Sequence, residues 1–233
     1  MSKIIKFYNS GNEFIDIPQP SKKFIPEWYK EAKRFFPDNK LNFTQGHPNL
    51  ALKMCTPFLD GITSGYIATT YCDILVTKTD LGLKLDWRST NTIPNPVSER
   101  PKSVAETLPI PEGHSDQHFA WHNIFQIKLP KGYSCFIGHP LNRFDLPFTT
   151  LSAVVDADYG MQQGNVPFFI KSNFEGVIPY GTPMFQIIPF KRENWKSEKD
   201  ISLKDLDKKH EFLNLRTMHG YYKNKFWNRK SYD

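Results

Sequence analysis

The sequence has no long apolar run and few cysteines, and each absence excludes a class of protein. No stretch approaches the roughly 18 apolar residues that a membrane-spanning helix needs, and the opening residues MSKIIKFYNSGNEF lack the features of a signal peptide. We therefore predict a soluble intracellular protein with no membrane partner. Cys55, Cys72 and Cys135 lie too far apart for a disulfide framework or a zinc knuckle, so we expect them in the core.

Aromatic residues are abundant, at 15% of 233 residues, and they favour strands over a plain helical bundle. Between residues 51 and 190 the sequence breaks into short β-branched and aromatic runs bounded by Gly, Pro, Asn and Asp. The predicted strands are residues 65–70, 73–77, 84–87, 124–129, 133–138, 151–155, 167–171, 176–178 and 184–190. This spacing predicts a mainly β fold built as an antiparallel barrel or sandwich.

Two arms flank the predicted β core of residues 51–190. Residues 1–50 form an N-terminal arm with a short helix over 27–36, and residues 191–233 form a C-terminal helix followed by an aromatic, basic tail. Residues 89–114, rich in Pro, Ser, Glu and Asn, are predicted as a long surface loop. Each arm is expected to pack either on its own core or on a neighbouring subunit.

The formal net charge is +6, and most of the positive excess lies after residue 207. A basic tail of this kind can contact phosphates, nucleic acid or an acidic protein partner. It can equally be a solvated face that contributes only solubility.

The most informative segment runs from residue 129 to 190. It contains PKGY at 130–133, VVDADYG at 154–160 and GTPMFQII at 181–188, and SGYIA precedes them at 64–68. In order and spacing these elements resemble the dUTPase and dCTP deaminase superfamily. The resemblance implies an antiparallel β-clip or jelly-roll-like barrel that works as a homotrimer.

The resemblance also implies a site. Asp156 would orient the attacking water and contact the deoxyribose hydroxyl, and Asp158 and Tyr159 would complete the substrate contacts, with Tyr159 against the sugar or base. Gln186 would lie near the phosphates, and Mg²⁺ would enter with them. The implied function is binding or hydrolysis of a (deoxy)nucleotide triphosphate, the latter as a pyrophosphatase.

Two segments depart from the family pattern. Where the family has an Arg-Ser-x-Gly turn that holds phosphate, this chain has HPLNRF at 139–144, and where the family has a glycine-rich C-terminal arm it has the aromatic basic tail. His139 and Arg143 are candidate phosphate contacts, because arginine can bind phosphate through two hydrogen bonds. The alternative is that both cap a loop.

These departures favour a second function, a non-catalytic β-clip module in phage assembly or host interaction. In its overall sequence the chain also resembles proteins from tailed-phage genomes. That resemblance implies a location in the host cytoplasm or the virion.

Two histidine patterns are weaker indications of a metal site. His114 and Asp116 match the His-x-Asp half of an iron site, and His114, His118 and His122 recur every four residues, as on one helical face. A polar loop and packing residues explain the same positions. Asp60, just before Gly61, is predicted as a turn residue.

Overall fold

The computed structural model describes residues 3–9, 15–35, 51–88, 94–101, 108–160, 164–200, 203–216 and 221–233. The strands of these residues are β1 (Lys6–Asn9), β2 (Gln19–Pro20), β3 (Tyr66–Thr69), β4 (Ile74–Thr79), β5 (Gly82–Trp87), β6 (Val97–Arg100), β7 (His114–His122), β8 (Phe125–Lys128), β9 (Tyr133–Gly138), β10 (Phe148–Thr150), β11 (Ala153–Val155), β12 (Asn165–Lys171), β13 (Gly176–Ile178) and β14 (Pro183–Lys191).

Short helices accompany the strands. They are α1 (Glu27–Glu31), α2 (Thr56–Thr63), α3 (Leu203–Arg216) and α4 (Tyr221–Lys225), with 3₁₀ turns at Ser21–Phe24 and Leu52–Met54. Within the described part of the chain, no helix is both long and apolar enough to cross a membrane.

The strands pair antiparallel in four sheets. A five-stranded sheet has the order β11-β9-β14-β3-β2, a four-stranded sheet β10-β12-β7-β6, and a three-stranded sheet β13-β4-β5, while β1 pairs with β8. The predicted mainly β, antiparallel fold with a C-terminal helix is thus confirmed. The pairing of the described residues leaves these sheets open, and closure into a barrel stays a prediction.

One apolar core joins the sheets. Trp121 of β7 stacks on Phe168 of β12 with ring centroids 3.7 Å apart, and both side chains are fully buried. The buried Thr150 hydroxyl donates to the Met184 carbonyl oxygen at 2.7 Å and accepts from Trp121 Nε1 at 3.1 Å. These bonds tie the four-stranded sheet to β14 of the five-stranded sheet.

Gly65, in the SGYIA segment, has a packing reason. Its φ is 69°, and a Cβ there would lie 2.0 Å from the carbonyl oxygen of Ile187. Glycine therefore allows β3 to approach β14 closely, since any side chain would collide with backbone.

All nine predicted strands are present. Residues 133–138 and 176–178 form strands with the predicted bounds, and the others agree to within two residues at each end. The C-terminal helix is confirmed as α3. The N-terminal helix predicted over 27–36 is shorter, because the backbone leaves helical geometry at Ala32, where φ is −53° and ψ is 138°, so α1 ends at Glu31.

Part of the predicted loop over 89–114 is wrong. Val97–Arg100 is a strand, His114 begins another, and residues 89–93 and 102–107 of that loop lie outside the described residues. β7 lies between β12 and β6 and is buried on both faces over much of its length, so its residues show no alternation of polar and apolar side chains.

Two further local predictions are corrected. Asp60 lies inside α2 rather than in a turn. Cys135 is buried as expected, but Cys72 is partly buried and Cys55 is exposed.

The N-terminal arm, as far as it is described, and the end of the C-terminal tail pack on the core, whereas Leu203, Leu206 and Phe212 of α3 are exposed. β1 pairs with β8, β2 pairs with β3, and Tyr29 of α1 stacks on Phe58 of α2 with centroids 6.0 Å apart. At the other end of the chain, Trp227 Nε1 and Lys230 Nζ donate to Asp60 Oδ2 at 2.9 and 2.6 Å. The Asp60 carboxylate therefore anchors the tail to α2.

Candidate functional site

The corner after β11 carries the two predicted carboxylates. Ala157 is fully buried, and its carbonyl oxygen accepts from the backbone N–H of Leu129 at 2.9 Å and of Gly160 at 3.3 Å. These bonds fix the turn to the chain that leads into β9. Asp156 and Asp158 flank Ala157, and the carboxylates of both contact the Arg192 guanidinium.

Asp158 is the structural carboxylate of the pair. Only 2% of its side chain is exposed, and Oδ2 accepts from the backbone N–H of Gly132 at 3.0 Å and from the Arg192 guanidinium. The Arg192 bond, followed by the Gly132 bond, holds the pKa of Asp158 below its ordinary value. Asp158 therefore clamps the corner to the PKGY turn.

Asp156 is the accessible carboxylate. Its side chain is 68% exposed, yet Oδ1 accepts from Ser134 Oγ at 2.6 Å and lies 3.1 Å from Arg192 Nη1. The Ser134 bond, followed by the Arg192 bond, lowers the pKa of Asp156. The result is an ionised carboxylate of fixed orientation that faces solvent.

Arg192 connects the two carboxylates, and together with Ser134 it was missing from the predicted site. Its backbone N–H donates to the Gly132 carbonyl oxygen at 2.9 Å, one step beyond the Lys191–Tyr133 pair of β14 and β9. Asp158 and then Asp156 raise the pKa of the guanidinium. Only the register of two strands distant in sequence reveals this position, since no local motif marks Arg192.

Tyr159 adds an aromatic surface beside the carboxylates. It is 88% exposed, and Val154 on β11 is also exposed. Three of the predicted residues, Asp156, Asp158 and Tyr159, are thus together at one corner.

Gln186 lies on β14 opposite Gly138, away from the corner, and its side-chain amide bonds to backbone groups inside the protein. It is 1% exposed, Oε1 accepts from Leu141 N at 2.8 Å, and Nε2 donates to the carbonyl oxygens of Gly61 at 3.0 Å and Ser64 at 2.5 Å. In this chain Gln186 joins β14 to the end of α2 and to the loop between β9 and β10.

Arg143 is engaged within its own loop. Its guanidinium binds Asp145 through Nε at 2.9 Å and Nη2 at 2.8 Å. Burial raises the pKa of Asp145, but the Arg143 bonds and charge outweigh it, and the net shift is downward.

His139 has internal partners on both ring nitrogens. Nδ1 accepts from Thr150 N at 3.3 Å and Nε2 lies 2.9 Å from the Arg143 carbonyl oxygen, an arrangement that suits a neutral ring protonated on Nε2. Burial lowers its pKa. His139 and Ser134 lie at opposite ends of β9, about 16 Å apart along an extended strand, so the predicted residues divide into two groups.

Metal-binding patterns find no support in the described residues, where no group of three or more His, Cys, Asp or Glu side chains is arranged to hold an ion. His114 and His118 both belong to β7 rather than to a helix. Residues four apart on a strand share a face but lie about 13 Å apart, too far for one ion. His114 Nε2 instead lies 2.9 Å from Thr149 Oγ1.

The chain matches no known protein-family model, and no curated protein matches it.

Proposed function

We propose that the protein binds a (deoxy)nucleotide triphosphate at the corner formed by Asp156, Asp158 and Tyr159. The observation that carries the proposal is the state of Asp156, which is exposed, ionised and held in one orientation by Ser134 and Arg192. A fixed carboxylate is a good acceptor for a sugar hydroxyl, and the exposed Tyr159 ring beside it offers a stacking surface for the sugar or base.

Binding is better supported than hydrolysis. A general base works best when its pKa lies near the working pH, and the lowered pKa of Asp156 makes it a weak proton acceptor. Asp156 can still orient a water molecule through a hydrogen bond. In the hydrolytic form of the proposal, Mg²⁺ arrives on the nucleotide phosphates and the chain acts as a pyrophosphatase.

We also propose that the corner lies at a subunit boundary in a homotrimer. Tyr159 and Val154 are apolar and exposed on one chain, as expected for residues that a neighbour covers. Arg143 and His139 lie at the far end of β9 from Asp156, too far to contact the same nucleotide within one chain. In a trimer, one chain would supply Asp156 and a neighbouring chain would supply Arg143 and His139. Phosphate would then compete with Asp145 for the Arg143 guanidinium.

The direct test is calorimetric titration with each of the deoxynucleotide triphosphates and with dUTP, in the presence and absence of Mg²⁺, alongside a pyrophosphate-release assay. We expect binding of at least one nucleotide and a tenfold or greater loss of affinity in Asp156→Asn. Absence of heat and of thermal shift with every nucleotide would overturn the proposal.

A matched control separates the site from general charge effects. Glu198→Gln also removes one exposed carboxylate, outside the corner, and should bind the nucleotide like the parent protein. Tyr159→Ala provides a second variant that disturbs no buried contact, and it should also weaken binding.

The second candidate function is a non-catalytic β-clip module of a phage particle or of a host complex. The favouring observation is that Phe144 and Trp195 are 79% and 86% exposed, which suits contacts between chains. The N-terminal arm and the end of the tail pack on the core and are not free for such contacts, but Phe212 of α3 is 61% exposed. A protein that remains a monomer by light scattering at high concentration would count against both the module and the trimer.

A further inference from the structure

A cleft lies between the β4–β5 hairpin and the β6–β7 pair, away from the Asp156 corner. Its volume is about 650 Å³, within the range of small-molecule sites. β5 is the last strand of its sheet and β6 the last strand of another. The cleft is therefore the gap between two sheet edges.

Apolar side chains form the walls of the cleft. Leu83, Leu85 and Trp87 come from alternate positions of β5, and Val97 and Phe119 face them from β6 and β7. Val97 and Phe119 are buried, whereas Leu85 and Trp87 are partly exposed. The two buried side chains form the floor, and Leu85 and Trp87 form a partly exposed apolar wall that suits a planar ring.

Gln117 of β7 holds the two edges at a fixed separation. Its Oε1 accepts from Leu83 N at 2.6 Å, and its Nε2 donates to Leu83 O at 3.2 Å and to Glu99 Oε1 at 2.8 Å. A Cβ on Gly82, where φ is 115°, would lie 2.4 Å from Gln117 Oε1. The cleft is thus formed before any ligand arrives.

The charge of the cleft is acidic, although the chain as a whole is basic. Asp80 and Glu99 contribute carboxylates, and the cation among the lining residues, Lys84, pairs with Asp86 at 2.9 Å. Gln117 orients the Glu99 carboxylate through Oε1. A carboxylate held in one orientation in an otherwise apolar cleft favours a ligand cation, through a charge-assisted hydrogen bond.

We propose that this cleft is a binding site for a small aromatic amine, with its ring on the apolar wall of Leu85 and Trp87 and its ammonium group on Glu99. The proposal is independent of the nucleotide site.

Tryptamine, its neutral analogue tryptophol and its acidic analogue indole-3-propionate share one ring system and differ in charge. Titrated into the full chain and followed by amide chemical shifts, tryptamine should perturb β5, β6 and β7 and bind about tenfold more tightly than tryptophol, while indole-3-propionate should bind least. Equal binding of the three compounds, perturbation confined to other elements, or no perturbation by tryptamine would overturn the proposal.

Glu99→Gln keeps an acceptor for Gln117 and removes the charge, so it should abolish the preference for tryptamine over tryptophol. Leu85→Trp should fill the cleft and weaken all three compounds. Glu112→Gln, on an exposed turn outside the cleft, should leave the preference intact. A preference that survives Glu99→Gln in a variant with parental amide spectra would also overturn the proposal.

Discussion

Two polar regions at opposite ends of β9 use hydrogen bonds in different ways. In the loop that contains His139 and Arg143, polar groups bond to one another, to nearby backbone and to Asp145. At the Asp156 corner, the Asp158 carboxylate is buried and hydrogen-bonded, whereas the Asp156 carboxylate faces solvent. Bonds that close within the chain stabilise the fold, whereas a group that is oriented but exposed can also bind a ligand.

The most destabilising change should be at the loop end, in Gln186→Ala. The substitution removes the Gln186 bonds to the backbone groups of Leu141, Gly61 and Ser64, of which Ser64 O keeps its bond from Ser21 Oγ, and we expect a loss of about 3 kcal/mol in the free energy of unfolding. Urea unfolding measures it. The exposed Gln126→Ala should cost less than about 0.5 kcal/mol, and equal losses in both variants would contradict the internal role of Gln186.

His139 should make the loop end sensitive to acid. Because burial lowers its pKa from the ordinary 6.5, the unfolded chain binds the proton more readily than the folded chain. This contribution to stability is complete above pH 6.5 and is lost as the pH falls through the folded pKa, with a slope of up to about 1.4 kcal/mol per pH unit.

The buried His118 adds to the same trend, because burial lowers its pKa as well. The diagnostic quantity is therefore the difference in slope between the parent protein and His139→Gln, from urea unfolding at several pH values. A variant with the parental slope would show that His139 is not the responsible group.

The corner itself should show unequal roles for its two carboxylates. Asp158→Ala removes the buried partner of Gly132 and Arg192 and should lower the melting temperature clearly more than Asp156→Ala does. The reverse ranking should hold for nucleotide affinity. Differential scanning calorimetry of the two variants measures the melting temperatures, and calorimetric titration measures the nucleotide affinities. If the same variant had the larger loss in both measurements, the two carboxylates would not have separate roles.

Tyr159→Ala should have the smallest effect on the fold. The ring is 88% exposed, so its removal should change the free energy of unfolding by no more than about 0.5 kcal/mol. A larger loss in urea unfolding would mean that the ring is covered, as in a stable oligomer, and light scattering of the same sample would identify that state.

Local patterns in the sequence predicted the strands well where apolar runs end in turn residues, as in β9 and β13. They failed for β7, whose histidines recur every four residues. That spacing places side chains on one face in a strand as well as in a helix, so it cannot distinguish the two. The helix around Asp60 was missed because an Asp-Gly pair also marks turns.

The grouping of the site residues required the tertiary structure. The VVDADYG motif identified Asp156, Asp158 and Tyr159 as neighbours, but Arg192 joins them only through the register of β14 against β9. The same strand carries Gln186 to the other end of β9, opposite Gly138.

The amino-acid order directly specifies local features, because apolar runs and turn residues span only a few positions. These features are the ends of the strands and the acidic residues that lie at a corner. Which carboxylate is buried, which arginine neutralises it and which glutamine is consumed depend on contacts between segments tens of residues apart. Those contacts arise only when antiparallel strands pair in one register and a shared core excludes water, because burial and hydrogen-bond partners are properties of the assembled sheets.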